Sequence, residues 1–357
     1  MTSLSIAGCG VVSPAGLGAD ALAAAVGRGE PAVAASPASE DLLPATPVHR
    51  YAGFDVKALL GRKGTIFLDR VTALALVAAD AAIESGELSV DDSNRDGIGV
   101  VLGTTVGSLK STMDYSADTL TQDRPYLVNP ALFPNSVMNC AASQIAIRRG
   151  LKGMNATIAG GPVAVVQALR YTANALRRGY ADVVIAGAAE EFTPNTAWAA
   201  ALRHQGRAVG AGEGAAMFVL RRAGDHDRVR MLAISTGFGA DDPAAALAGC
   251  VLRALDDAGA APADVTVAAS GSPDDTVDTA ALAVALPRSD FERVDMTATV
   301  GDAQAAIGAL QLANLVFAYT TGRMRAGELS LLTACTPEGD VGAVLVGEGD
   351  GADPGRG

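Results

Sequence analysis

Apolar positions in this chain fall into two kinds of run that take turns. Short, nearly continuous apolar stretches read as strands buried on both faces. They are SLSIAGCGVV (3–12), GIGVVLGTTVG (97–107), ADVVIAGAAE (181–190), GEGAAMFVLRR (212–222), VRMLAISTGFG (229–239), DVTVAASGS (264–272), ELSLLTAC (328–335) and GAVLVGE (342–348). Longer stretches with apolar residues three and four apart read as helices: 69–86, 162–179, 244–259 and 302–322. Strands alternating with helices imply βαβ crossovers and a largely parallel α/β architecture.

The pattern also repeats. Helix, glycine, acidic loop and apolar strand follow one another in 78–107 and again in 251–272. A helix-to-strand unit at 168–190 is echoed at 309–335. A duplicated α/β unit accounts for both echoes, with halves at 1–222 and 228–349 joined by AGDHDR and followed by a disordered tail at 350–357. Two irregular insertions, 29–50 and 115–136, interrupt the first half, and loops of that length in a compact fold are usually functional or interface-forming.

Length and composition narrow the field. The 357 residues are enough for a large core, and 49% of them are hydrophobic. A formal charge of −12 argues against nucleic acid as a partner, since phosphate binding needs clustered Lys and Arg. The start shows no signal peptide and no stretch has the length of a membrane span, so a cytoplasmic location is expected. Cys9, Cys140, Cys250 and Cys335 are scattered, without the spacing of a zinc site, and read as reduced packing residues.

Candidate chemistry is sparse. His49, His204 and His226 lie in polar text and read as surface histidines. Asp274, Asp275 and Asp278 read as caps of the following helix rather than as metal ligands. No GxSxG elbow occurs, and GAGEG (210–214) precedes a strand where a dinucleotide loop would precede a helix. The stretch ATIAGGPVAVVQAL (156–169) is a strand–turn–helix junction of the kind that often presents a nucleophile, yet Pro162 stands at the turn.

Five segments resemble the β-ketoacyl synthases in order and spacing: SIAGCGVVSPAGLG (5–18), VLGTTVGSL (101–109), NPALFPNSVMNCAASQIAIRRGLKG (129–153), GYADVVIAGAAEE (179–191) and GEGAAMFVL (212–220). The resemblance implies the thiolase fold, a duplicated five-layered α/β/α/β/α core. It also implies a cysteine and two histidines that load an acyl group and decarboxylate a malonyl unit. At the matching positions this chain has Pro162 for the cysteine, Ser270 and Asp302 for the histidines and Thr297 for a lysine, and its closing turn is TPEG (336–339). Proline has neither a nucleophilic side chain nor an N–H, but its φ suits the start of a helix. Loss of one oxyanion donor lowers rate by about 10²–10³, and loss of a general acid or base by about 10²–10⁴.

The chain is similar to the chain length factors of type II polyketide synthases, inactive homologues that pair with a catalytic ketosynthase. The resemblance implies a heterodimer with such a paralogue, an acyl carrier protein as a further partner, no cofactor and no metal. It implies an interface tunnel that sets polyketide or polyene length, with Thr105, Met113, Tyr115, Phe133 and Met138 as lining candidates. It places the dimer edge on the strand Asn155, Ala156, Thr157 and Ile158. Arg62, Lys63, Arg148, Arg149 and Lys152 are candidate contacts for the carrier protein or the partner, by charge steering. Two other readings stay open on the residues: an enzyme that reuses the pocket through Asp302 or Ser270, and a scaffold without a tunnel.

Overall fold

In a computed structural model, residues 3–32, 43–205, 207, 209–224, 227–272, 276–287 and 290–349 are described. His226, Asp274, Asp275 and the 350–357 tail lie outside them, as does part of the first insertion.

The first half begins with β1 (Leu4–Ser13), β2 (Gly16–Leu17) and α1 (Ala19–Arg28), then α2 (Val56–Leu60), α3 (Arg70–Ser85) and β3 (Ile98–Thr104). Around the second insertion the chain folds as α4 (Leu109–Thr121) and α5 (Phe133–Ser136), followed by α6 (Cys140–Arg149). β4 (Asn155–Ala159), α7 (Ala164–Arg177), β5 (Val183–Glu190), α8 (Pro194–Arg203) and β6 (Gly214–Arg222) complete it. The second half runs β7 (Val229–Phe238), α9 (Pro243–Ala258), β8 (Val265–Ser270), α10 (Thr276–Ala285), β9 (Glu292–Val294) and α11 (Thr297–Val300). It ends with α12 (Ala305–Thr320), β10 (Leu329–Cys335) and β11 (Asp340–Glu348).

The strands confirm the duplication. The first array is ordered β4-β3-β5-β6-β1 and the second β9-β8-β10-β11-β7, and the two orders match strand for strand. Pairing sense matches as well: β3 is parallel to β4 and β5, β8 is parallel to β9 and β10, and the last two pairings of each array are antiparallel. The arrays meet where Leu4 and Ser5 of β1 pair with Met231 and Arg230 of β7.

Layering follows from which helix faces are apolar. α3 packs on β1, β5 and β6 and beside α6, forming one outer layer. Asp69 starts α3 by accepting a 2.7 Å hydrogen bond from the Thr72 amide. α9 covers β7 and β11 on the far side, with α10 beside it against β10; Pro243 opens α9 and Gly259, left-handed at φ +66, closes it. α12 is buried nearly all round, because it lies with α7 between the two arrays, and the largest cluster of buried apolar side chains forms there. The two central helices touch at their starts, where a Cβ on Gly308 would lie 2.6 Å from Cγ1 of Val165. The result is the thiolase-like five-layered α/β fold.

Several elements escaped the pattern reading, among them α1, α2, α4, α8, β2 and β9. β9 has three residues, with exposed Glu292 and Arg293, too short for alternation to register. α10 is ten residues of mostly small apolar side chains.

Candidate functional site

β4 leaves the sheet at Ala159, and Gly160 and Gly161 turn the chain into α7. Gly161 has φ +55, a left-handed conformation that glycine adopts without strain. Pro162 follows at the first turn and is buried. A cavity of about 460 Å³ opens in front of this junction, walled by Thr105, Pro162, Arg203, His204, Cys335 and the Thr336–Glu338 turn, among others. The turn at the mouth of this cavity therefore presents a pyrrolidine ring, without even an amide hydrogen.

Asp302 lies behind the same cavity and is 2% exposed. Its carboxylate accepts from Arg203 Nη1 at 2.6 Å, His204 Nε2 at 2.9 Å, the Gln304 amide at 3.1 Å and Gln304 Nε2 at 2.8 Å. Burial pushes this carboxyl up. The His204 hydrogen bond, the charges of Arg203 and His204 and the Gln304 amide outweigh burial and hold it below the usual carboxylate range. An ionised carboxylate only accepts, so Nε2 of His204 carries the proton in that bond. Its backbone is tied down too: Asp302 N–H donates to Gly210 O at 2.8 Å and Gly212 N–H to Asp302 O at 3.0 Å. Asp302 is thus an anchor for the segment after α8, and its lone pairs face protein donors rather than the cavity.

Ser270 ends β8 and is also buried. Its Oγ accepts from the Ser272 amide at 3.2 Å and faces the turn, so the hydroxyl that reaches the cavity wall is that of Ser272. Ser272 Oγ accepts from the Cys335 amide at 2.7 Å, and the Cys335 thiol is 3.3 Å from Ser272 Oγ and 3.5 Å from the Asp278 carboxylate. Thr297 caps nothing in the cavity; its amide donates to Asp295 Oδ1 at 2.8 Å.

Several sequence readings need correction. His49 and His204 are buried, not surface residues: His49 Nδ1 lies 3.1 Å from Thr299 O, and burial pulls its pKa down. Asp278 does not cap α10 outward; it is fully buried, and its carboxylate accepts from the Thr333 hydroxyl. The cysteines are free, with Cys140, Cys250 and Cys335 buried and Cys9 half-buried.

Of the tunnel candidates, only Thr105 reaches the Pro162 cavity. Met113 and Phe133 are 47% and 55% exposed, the tilted rings of Tyr115 and Phe133 have centroids 6.0 Å apart, and Met138 is exposed. β4 is the end strand of the first array, so the outer edge of Asn155–Ala159 has no strand partner among the described residues. Among the basic candidates Arg62, Lys63 and Lys152 are exposed; Arg148 donates to Leu60 O and Arg149 pairs with Asp80.

Sequence reasoning missed Arg203, His204, Gln304 and Ser272, which carry no motif, and a pair of buried carboxylates below Thr105. Burial pushes Glu190 up to about 8 against the hydrogen bonds from Thr105 and Thr104, and pushes Glu191 up to about 7. Among the described residues no cluster of three or more His, Cys, Asp or Glu could hold a metal ion, and no helix is long and apolar enough to cross a membrane.

Comparison with known proteins agrees with this geometry. The family model for the N-terminal domain of β-ketoacyl synthases matches residues 1–226. The 3-oxoacyl-[acyl-carrier-protein] synthase 2 of Vibrio cholerae is 28% identical over 139 residues, 39% of this chain and 33% of that enzyme. The Synechocystis enzyme of the same name is 33% identical over 141 residues, 38% of this chain and 33% of that enzyme. The alignments thus span about a third of these curated relatives. Among solved structures, the ishigamide ketosynthase/chain length factor superposes with a TM-score of 0.85 at 32% identity, covering 97% of this chain and 99% of that one. A ketosynthase in complex with its chain length factor from Xenorhabdus doucetiae shares the fold, with a TM-score of 0.81 at 13% identity, covering 97% and 98%.

Proposed function

The chain belongs to the β-ketoacyl synthase family, and from that premise we propose that it is a chain length factor. In this reading it pairs with a catalytic ketosynthase, takes no acyl group itself and shapes the tunnel in which a polyketide or polyene chain grows. One observation carries the reading: Pro162, buried at the junction where the family places its nucleophile. Without a thiol there is no thioester, and the His204 imidazole on the cavity wall has its Nε2 committed to Asp302 rather than to an enolate. The full-length likeness to the ishigamide ketosynthase/chain length factor supports the same reading.

The proposal gives each remaining feature a task. The open edge of β4 joins the partner's sheet, since an unpaired strand edge is a template for association. Met113, Phe133 and Met138, exposed in the single chain, and the half-buried Tyr115 become buried against the partner and bound the tunnel. Arg62 and Lys63 meet an acidic acyl carrier protein. Residues 1–222 and 228–349 act as the two halves of the duplication.

Co-expression tests this directly. With a ketosynthase from the same genome that keeps its cysteine and histidines, the chain should purify as a 1:1 complex; alone it should be poorly soluble. In that complex Met113→Ala or Phe133→Ala should lengthen or broaden the products while the partner's acylation is unchanged, because emptying the end of a closed tunnel is a packing effect. Acylation and malonyl condensation by the isolated chain would refute the reading. Unchanged product length across all the bulky substitutions would leave pairing intact and remove the tunnel role.

A further inference from the structure

The charge around the open edge is unlike that of the rest of the molecule. The chain carries 39 Asp and Glu against 27 Lys and Arg. Yet between Asp123 and Asp182 there is no Asp or Glu, and seven residues are Lys or Arg. That interval contains β4 and the two helices that flank it, α6 and α7.

The basic residues face outward. Lys152, Arg170 and Arg178 are exposed, as are Arg148 and Arg177. Arg148 donates to Leu60 O, Arg170 to the Thr236 hydroxyl and Arg177 to Asn174 Oδ1, all uncharged acceptors. Of the whole group only Arg149 forms an ion pair among the described residues, with Asp80. Asp182, the next carboxylate in sequence, is held by Arg222. Large apolar side chains stand among the charges: Ile147 on α6, Tyr171 on α7 and Tyr180 just after it are 71%, 46% and 67% exposed. Arginine and tyrosine together are the composition of a protein interface rather than of a solvated face.

Symmetry gives this pattern a consequence. Two copies joined through β4 would form an isologous contact, in which each surface patch meets its own copy. α6 would lie beside α6 and α7 beside α7, so cation would face cation on both faces of the joined sheet. Like charges across an interface suppress the wrong partner while opposite charges steer the right one. We propose that the basic flanks of β4 bar this chain from pairing with itself and select a partner whose own edge strand is flanked by carboxylates. The inference rests on the pairing proposed above and adds the chemistry of the partner's surface.

The test uses two differently tagged copies of the full chain. Wild type should self-associate weakly, and more strongly at about 0.5 M salt, where exposed charges are screened within a few ångströms. A copy carrying Lys152→Glu, Arg170→Glu and Arg178→Glu should capture wild type about tenfold better than wild type captures itself. The same triple variant should bind the ketosynthase about tenfold more weakly than wild type does. If the triple variant misfolds by circular dichroism, Lys152→Gln with Arg178→Gln removes charge without reversing it and should shift both measurements in the same directions by less. Equal capture by wild type and variant, or ketosynthase affinity unchanged within twofold, overturns the proposal. Failure of wild type to bind the ketosynthase at all refutes the pairing instead, and self-capture then decides this inference alone.

Discussion

The cavity before Pro162 and the open edge of β4 are joined by a single turn of chain, yet their polar groups are treated in opposite ways. Around the cavity nearly everything is satisfied from within. Asp302 accepts from three side chains and a backbone amide, Ser272 locks the Cys335 amide, and Asp278 takes the Thr333 hydroxyl. Along β4 the outer strand edge has no strand partner among the described residues, and of the basic side chains around its flanking helices only Arg149 has a carboxylate partner there. A reacting site needs groups held ready for a substrate, whereas a self-satisfied one has become part of the framework. An interface needs the reverse, groups left open for another chain. The difference suits a subunit whose interior has been closed to chemistry and whose surface awaits a partner.

The largest expected effect tests the first half of that contrast. Asp302→Ala removes the shared acceptor of Arg203, His204 and Gln304 and frees the segment that Asp302 holds through Gly210 and Gly212. Breaking a buried ion pair from one side costs about 3–5 kcal/mol. Denaturant unfolding should show a loss of that size with an unchanged m-value, and Asp302→Asn, which keeps the shape and some of the hydrogen bonds, should lose less. A loss below about 1 kcal/mol would mean that the cluster is not an anchor and that Asp302 is free to serve a ligand.

How much of this was readable beforehand depended on whether the signal was local. Pro162 could be placed by counting from the glycines on either side, and the apolar run of α12 marked it as a doubly buried helix. The duplication was legible because each echo is contiguous in sequence. The ring around Asp302 was not, since Arg203 and His204 reach it from α8, about a hundred positions earlier, and only the fold brings them together. The same cause misplaced His49 and His204: their neighbours in sequence are polar, while their neighbours in space are not. Met113 and Phe133 are exposed in the isolated chain, so their proposed role depends on a surface that a single sequence does not contain.

A smaller effect concerns the carboxylates beneath Thr105. Glu190 and Glu191, pushed by burial from an ordinary 4.5 to about 8 and about 7, are protonated in the folded protein over a range where the unfolded chain has already ionised them. The unfolded state then binds fewer protons, so stability falls as pH rises from about 4.5 to 8. The melting temperature should decline between pH 5.5 and 8.5. Glu190→Gln keeps an acceptor for the Thr105 amide and cannot ionise, so it should flatten that decline and stabilise the protein at pH 8.5 by about 1–3 kcal/mol. A wild-type melting temperature that rises over this range would show that the pair is ionised, and the interior beneath Thr105 would then hold buried charge, contrary to the closed interior described above.

Ser270→Ala should have the smallest effect, and that is its use. The resemblance to the family sets Ser270 at its first histidine, and a repurposed enzyme would need its hydroxyl directed at the cavity. In this chain Oγ faces the turn and accepts from the Ser272 amide at 3.2 Å. Removing one neutral hydrogen bond of this kind costs about 1 kcal/mol, and it should change neither the rate nor the length distribution of products made by the complex with a ketosynthase. Product length and turnover can be read in the same assay as those of Phe133→Ala, with both variants held to equal folded fraction. If Ser270→Ala abolished turnover while Phe133→Ala did nothing, the contrast would invert: the interior would be the working part of the molecule, and the open edge only the means of holding it in place.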